Sequence, residues 1–98
     1  MKFRHLNRVL QRIDEDPRFK ARYSDAVVRA FRMRMQMIRD AENIQTFYAL
    51  KSLHFEKLKG NRAHQYSMRL NVQFRLILEL EEAQGQWTVN VVAIEDYH

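Results

Sequence analysis

Hydrophobic positions recur at three- and four-residue steps along the first half of the chain and at every second residue along the second half. Leu6, Val9, Leu10 and Ile13 share one side of a helix, which predicts a short helical segment from about Phe3 to Ile13, ended by the DED run and Pro17. Ser24 is a candidate N-cap for a longer helix reaching about Ala41. In it Val27, Val28, Phe31, Met35 and Ile38 form an apolar stripe, widened by Ala26, Ala30, Met33 and Met37. Such a stripe is a packed core face or, being rich in adaptable Met, a groove for a partner. Arg29, Arg32, Arg34 and Arg39 are left mostly for the opposite, solvated side. From Asn43 to Leu58 the pattern is mixed and predicts a helical turn followed by extended backbone.

After Gly60 the period changes to two. Tyr66, Met68 and Leu70 alternate with Ser67, Arg69 and Asn71; Phe74, Leu76, Leu78 and Leu80 alternate with Arg75, Ile77 and Glu79; Trp87, Val89, Val91 and Ala93 alternate with Thr88, Asn90, Val92 and Ile94. Tight turns are expected at Asn71–Gln73 and across EEAQGQ with Gly85. The expected class is α+β: two N-terminal helices packed on a small antiparallel β-sheet, a meander whose last strand lies at the edge, with residues 1–98 as one domain. If the apolar series faces the helices, Arg69, Asn71 and Arg75 project from the other surface, where the last strand delivers Tyr97 and His98.

Composition narrows the classes. With 98 residues and no cysteine, disulfides and thiolate metal sites are excluded. No apolar run approaches the ~20 residues of a membrane span, and the charged N-terminal segment lacks a signal-peptide core, so a cytoplasmic protein without a membrane partner is expected. Seventeen Lys and Arg against twelve Asp and Glu give a net charge of +5, which favours polyanions. Five basic residues and no acid lie between Lys57 and Arg75, and five acids and no Lys or Arg follow from Leu76 onward.

No phosphate-loop, dinucleotide, HExxH or GxSxG motif is present. His5, His54, His64 and His98 show no paired spacing, so no metal or other cofactor is expected. What remains is a surface carrying Lys57 or Lys59, Arg62, Arg69 and Arg75, with Tyr97 and His98 nearby. Cleavage of RNA without a metal needs a base for the ribose 2′-OH, an acid for the departing 5′-oxygen, and cations for the charge gathering at phosphorus. His, Lys and Arg supply these near neutral pH, and Tyr stacks on a base or assists proton transfer. The plainer alternative is a solvated basic rim with a frayed terminal residue.

The stretch LHFEKLKGNRAHQYSMRLNVQFRLILELEE, followed by EDYH, resembles the HigB-like toxins of the RelE/ParE superfamily, the toxin halves of bacterial type II toxin–antitoxin pairs. The resemblance covers roughly residues 46 to 98 and rests on 58–62, 65–71, 73–75 and 96–98. It implies a compact α+β endoribonuclease that enters the ribosomal A site and cuts translated mRNA, silenced by an antitoxin that commonly carries a helix-turn-helix. By position, Lys59 matches the family's active-site lysine, and Asp96, Tyr97 and His98 its catalytic end. Arg62, Arg69 and Arg75 match basic positions, and with Lys57 they are the candidate RNA contacts. Many relatives read His-x-x-Lys-Gly, but Glu56 stands three before Lys59 and the nearest histidine, His54, is two places early. Which residue does that histidine's work stays open. The alternatives to a ribosome-dependent nuclease are a ParE-like toxin that poisons DNA gyrase and a non-cleaving nucleic-acid-binding module.

Overall fold

The computed structural model describes residues 1–97. In chain order they form β1 (Lys2–His5), α1 (Arg8–Glu15), α2 (Asp25–Asp40), α3 (Gln45–Ala49), β2 (Glu56–Lys57), β3 (Gln65–Arg69), β4 (Phe74–Ala83) and β5 (Gln86–Asp96), with 3₁₀ turns at Lys51–Leu53 and Gly60–Arg62. The class is α+β, with three helices on a five-stranded sheet in the order β1-β5-β4-β3-β2.

Local chemistry explains the helix starts. Asn7 accepts from the amides of Val9 and Leu10 at 2.9 and 3.2 Å, so α1 begins at Arg8. The expected start at Phe3 is therefore wrong: residues 2–5 alternate exposed and half-buried side chains as a strand does, and the asparagine separates the two elements. Ser24 caps α2 as expected, accepting from Val27 N–H at 3.2 Å. Val27, Val28, Phe31, Met35 and Ile38 are all buried, joined by Leu10 and Ile13 of α1 and Phe47 of α3, against Met68, Leu70, Leu76, Leu78, Val89, Val91 and Ile94 of the sheet. Burying each such large side chain contributes about 1.5–3 kcal/mol.

Three of the α2 arginines are not solvated in the way their helical positions suggest. Arg32 donates to the carbonyls of Ile13, Asp16 and Phe19 at 3.0–3.1 Å and ties the α1–α2 loop down. Arg39 bonds Asp14, and Arg34 reaches the carbonyl of Arg69 at 3.0 Å. A long aliphatic stem lets a guanidinium leave the helix surface and satisfy carbonyls that hydrophobic burial would otherwise strand.

β1 also corrects the sheet. It pairs with β5 in parallel, Lys2 opposite Thr88 through His5 opposite Val91, so the sheet is mixed and β5 is an interior strand along residues 88–91, not an edge. The β3–β4 turn is held by Asn71, whose Oδ1 accepts from the amides of Gln73 and Phe74 at 2.8 and 2.7 Å. β4 and β5 stay paired through Ala83 and Gln86, further than the expected turn across EEAQGQ, and leave the two-residue turn Gln84–Gly85, where both φ values are positive (54° and 79°). That is the hand of turn that matches strand twist, and it needs a residue such as Gly85.

One irregularity orients everything that follows. Ile77 pairs with Ala93 but Leu78 pairs with Val91, leaving Val92 as the extra residue of a β-bulge. Val89 and Val91 face the core before it; after it the core-facing residue is Ile94. The alternation expected through Ala93 therefore reverses, and Ala93, Glu95 and Tyr97 turn to the face without helices.

Candidate active site

Register assembles this open face in rows across the sheet. Glu56, Ser67, Ile77 and Ala93 are successive partners, and the next row holds Arg69, Arg75 and Glu95. Ser67 and Ile77 are buried beneath the charged side chains. Above them lies a cavity of about 200 Å³ lined by Glu56, Leu58, Arg62, Ser67, Arg75, Ile77, Glu95, Asp96 and Tyr97.

Arg75 is its organising group. Its Nη1 donates to Glu56 Oε1 and, at 3.0 Å, to the fully buried Ser67 Oγ, and its guanidinium carbon lies 3.6 Å from the centroid of the Tyr97 ring. Its side chain is only 15% exposed. A cation fixed by a carboxylate, a hydroxyl and a ring face has lost its rotamer freedom before any ligand arrives. Arg62 donates to Glu95 at 2.8 Å and to Gln65 at 2.9 Å.

A second depression of about 140 Å³ shares Arg75 and Tyr97 with the first and adds His54, Arg69, Asn71 and Val72. Arg69 Nη1 stands 3.3 Å from His54 Nε2, and its Nε donates to the Asn71 carbonyl. His54 reaches this position because its backbone is left-handed (φ 46°) after the 3₁₀ turn. From behind, Arg34 holds the Arg69 carbonyl, and burial pushes the Arg34 guanidinium below its usual range.

The structure thus brings Arg62, Arg69, Arg75, Asp96 and Tyr97 together. Asp96 accepts from Gln73 Nε2 at 3.2 Å, and Tyr97 N–H donates to the Gln73 carbonyl, so the segment after β5 is tied to the β3–β4 turn. Lys59 is exposed and sits between Leu58 and Arg62, which both line the cavity. Lys57 pairs with Tyr66 and alternates to the side opposite Glu56, away from the rows of the open face. His98 lies outside the described residues. Sequence reasoning missed Glu56 and Glu95 as members of the site. Glu56 was visible only as a departure from the His-x-x-Lys pattern, and Glu95 was hidden by the bulge, since strict alternation from Val89 assigns it to the core.

Among the described residues no group of three or more His, Asp or Glu side chains is placed to hold a metal ion, and no helix is long and apolar enough to cross a membrane.

A family model described as "RelE-like toxin of type II toxin-antitoxin system HigB" matches residues 1–98. The chain belongs to the HigB-like toxin family. Membership in a type II family implies an antitoxin partner for this toxin. Among solved structures, the "YoeB/ParE toxin from Agrobacterium tumefaciens" superposes with a TM-score of 0.62 at 18% identity, each chain covered over 100% of its length. At that identity the likeness shows a shared fold, and it places this toxin's three helices and mixed sheet in the RelE/ParE-like architecture. Among curated proteins no match is found.

Proposed function

We propose that this toxin is an endoribonuclease that cuts mRNA on the ribosome by acid–base chemistry and so arrests translation. The observation that carries the reading is Arg75, bonded at once to Glu56 and Ser67 and stacked on Tyr97. It gathers a phosphate-binding cation, a carboxylate able to take a proton, and an aromatic face for a base. In this mechanism the ribose 2′-oxygen attacks phosphorus while Glu56 removes its proton, and the bond to the 5′-oxygen breaks as His98 returns a proton to it. The products are a 2′,3′-cyclic phosphate and a 5′-hydroxyl. Arg75 carries the developing charge, with Lys59 as a second cation for the phosphate. Arg62 and Arg69 bind neighbouring phosphates, and Lys57, on the other side of β2, adds only long-range attraction for the strand. Tyr97 stacks on the base next to the scissile bond, and Asp96, through Gln73, orients the segment that carries Tyr97. Glu56 takes the place left open by the missing histidine of the His-x-x-Lys pattern. The partner that silences the toxin is a helix-turn-helix antitoxin, and its site of action is the cytoplasm.

The test is expression without antitoxin, followed by primer extension on a message with and without a working start codon. Cuts confined to the translated copy support the proposal, and His98→Gln should lower them about 10²–10⁴-fold with folding unchanged. Intact transcripts together with trapped gyrase–DNA complexes would establish the ParE-like alternative.

A further inference from the structure

The basic surface of this toxin is less basic than its residue count. Arg62 is held by Glu95 at 2.8 Å, its Nε is occupied by Gln65, and Gln65 in turn donates to Glu79 at 3.0 Å. Arg69, by contrast, donates to the Asn71 carbonyl at 3.2 Å and stands 3.3 Å from His54. The Arg62–Glu95 pair is a poor candidate for a stabilising element. Both side chains are about two-fifths exposed (40% and 41%), where an ion pair adds little to folding. Yet the chain needs the Val92 bulge to bring Glu95 to this face, directly across the ladder from Arg75. A carboxylate on a guanidinium occupies the donors that a phosphate would take.

We propose that Glu95 is a specificity-determining residue of the cleft: by occupying Arg62 it makes RNA phosphates compete with an internal carboxylate, so that strands presented in place are bound and free strands are not. The inference rests on the nuclease reading above and adds the basis of its selectivity. A free single strand must displace Glu95 from bulk concentration, whereas a message held by a large ribonucleoprotein arrives at high effective concentration and displaces it readily. The weakness of an exposed pair is what makes the exchange reversible.

The experiment measures binding of a single-stranded 2′-O-methyl RNA, which lacks the nucleophile and cannot be cut, to the full chain over a range of salt. Glu95→Gln should bind about fivefold tighter than wild type at low salt. Its log–log salt slope should steepen by roughly 0.7, one more phosphate contact on a single strand. In an Arg62→Gln background the same change should give no gain, because the effect passes through Arg62. Unchanged affinity and slope in Glu95→Gln would overturn the proposal, as would an equal gain without Arg62. Loss of cleavage of translated mRNA with unchanged binding would make Glu95 a proton-transfer group and also overturn it. Because the probe is uncleavable, failure of the nuclease reading leaves these binding results interpretable on their own.

Discussion

The guanidinium of Arg75 lies over the Tyr97 ring, its central carbon 3.6 Å from the ring centroid. A residue of β4 and one just past the end of β5 thereby form one wall between the two depressions of the open face. The contact depends on the bulge at Val92, which turns residues 93, 95 and 97 toward Arg75, and on the bond from Tyr97 N–H to Gln73 that fixes where β5 ends.

Tyr97→Phe preserves the ring over Arg75 and removes the hydroxyl, whereas Tyr97→Ala removes both. If stacking is the residue's work, Phe retains cleavage within about threefold and Ala loses roughly 5- to 30-fold, the factor of a 1–2 kcal/mol contact. Single-turnover cleavage of translated reporter RNA separates the two. A large loss in Tyr97→Phe would assign the hydroxyl a proton-transfer role instead.

Glu56→Gln keeps size and shape and withdraws the carboxylate from Arg75. As the base it should lower the cleavage rate by about 10²–10⁴-fold, while stability changes by about 0.5 kcal/mol or less because Glu56 is exposed at its outer edge. The paired readouts are primer extension and thermal melting. An unaltered rate would return Glu56 to the role of a simple counter-ion.

Arg75→Lys keeps a charge but cannot reach Glu56, Ser67 and the ring face together. It should cost roughly 1–3 kcal/mol of stability, because Ser67 Oγ is fully buried and loses its donor. Cleavage should fall further than melting explains. Urea denaturation alongside cleavage at matched folded fraction measures both.

Stability should also depend on acid through a site far from the cleft. Asp14 is buried beneath His5 at 2.9 Å and Arg39, both of which bond its Oδ2. Burial raises its pKa, but the hydrogen bonds and charges of Arg39 and His5 outweigh this and leave it below the ordinary 3.8. A depressed carboxylate stabilises the fold above its unfolded value and loses that contribution as pH falls through the folded value. Wild type should therefore weaken below about pH 4, and Asp14→Asn should be destabilised at pH 7 by about 3 kcal/mol with a flatter acid limb. Equilibrium unfolding at a series of pH values tests the sign; parallel acid limbs would remove Asp14 from the account.

The Gln84–Gly85 turn offers a change that should stabilise. Asn adopts positive φ more readily than Gln, so Gln84→Asn should add about 0.5 kcal/mol, whereas Gly85→Ala should cost about 1 kcal/mol, seen as opposite shifts in Tm.

Much of this molecule was legible without its structure. The buried stripe of α2, its Ser24 cap, the two turns, the period-two strands and the gathering of Arg62, Arg69, Arg75 and Tyr97 all follow from patterns that act over a few residues. The family, too, was legible from four short motifs in the second half of the chain. What the sequence left unmarked was β1, a four-residue strand whose parallel partner lies more than eighty positions away. Four residues of alternation before Asn7 read equally as the first turn of the next helix.

The remaining decisions were tertiary. Helical and strand periods say which face of an element is apolar, because those periods are properties of the backbone alone. They do not say where a strand inserts an extra residue, which depends on how β5 must bend to pair with β4 and β1 at once. One residue at Val92 inverts the described side chains after it, and so turns Glu95 from the face that strict alternation assigns to it into the cleft beside Tyr97. Likewise the Arg32, Arg34 and Arg39 stems turn from solvent to distant carbonyls and Asp14 only once those partners are folded beside them, since a long flexible side chain has no preferred direction until burial gives its charge a partner.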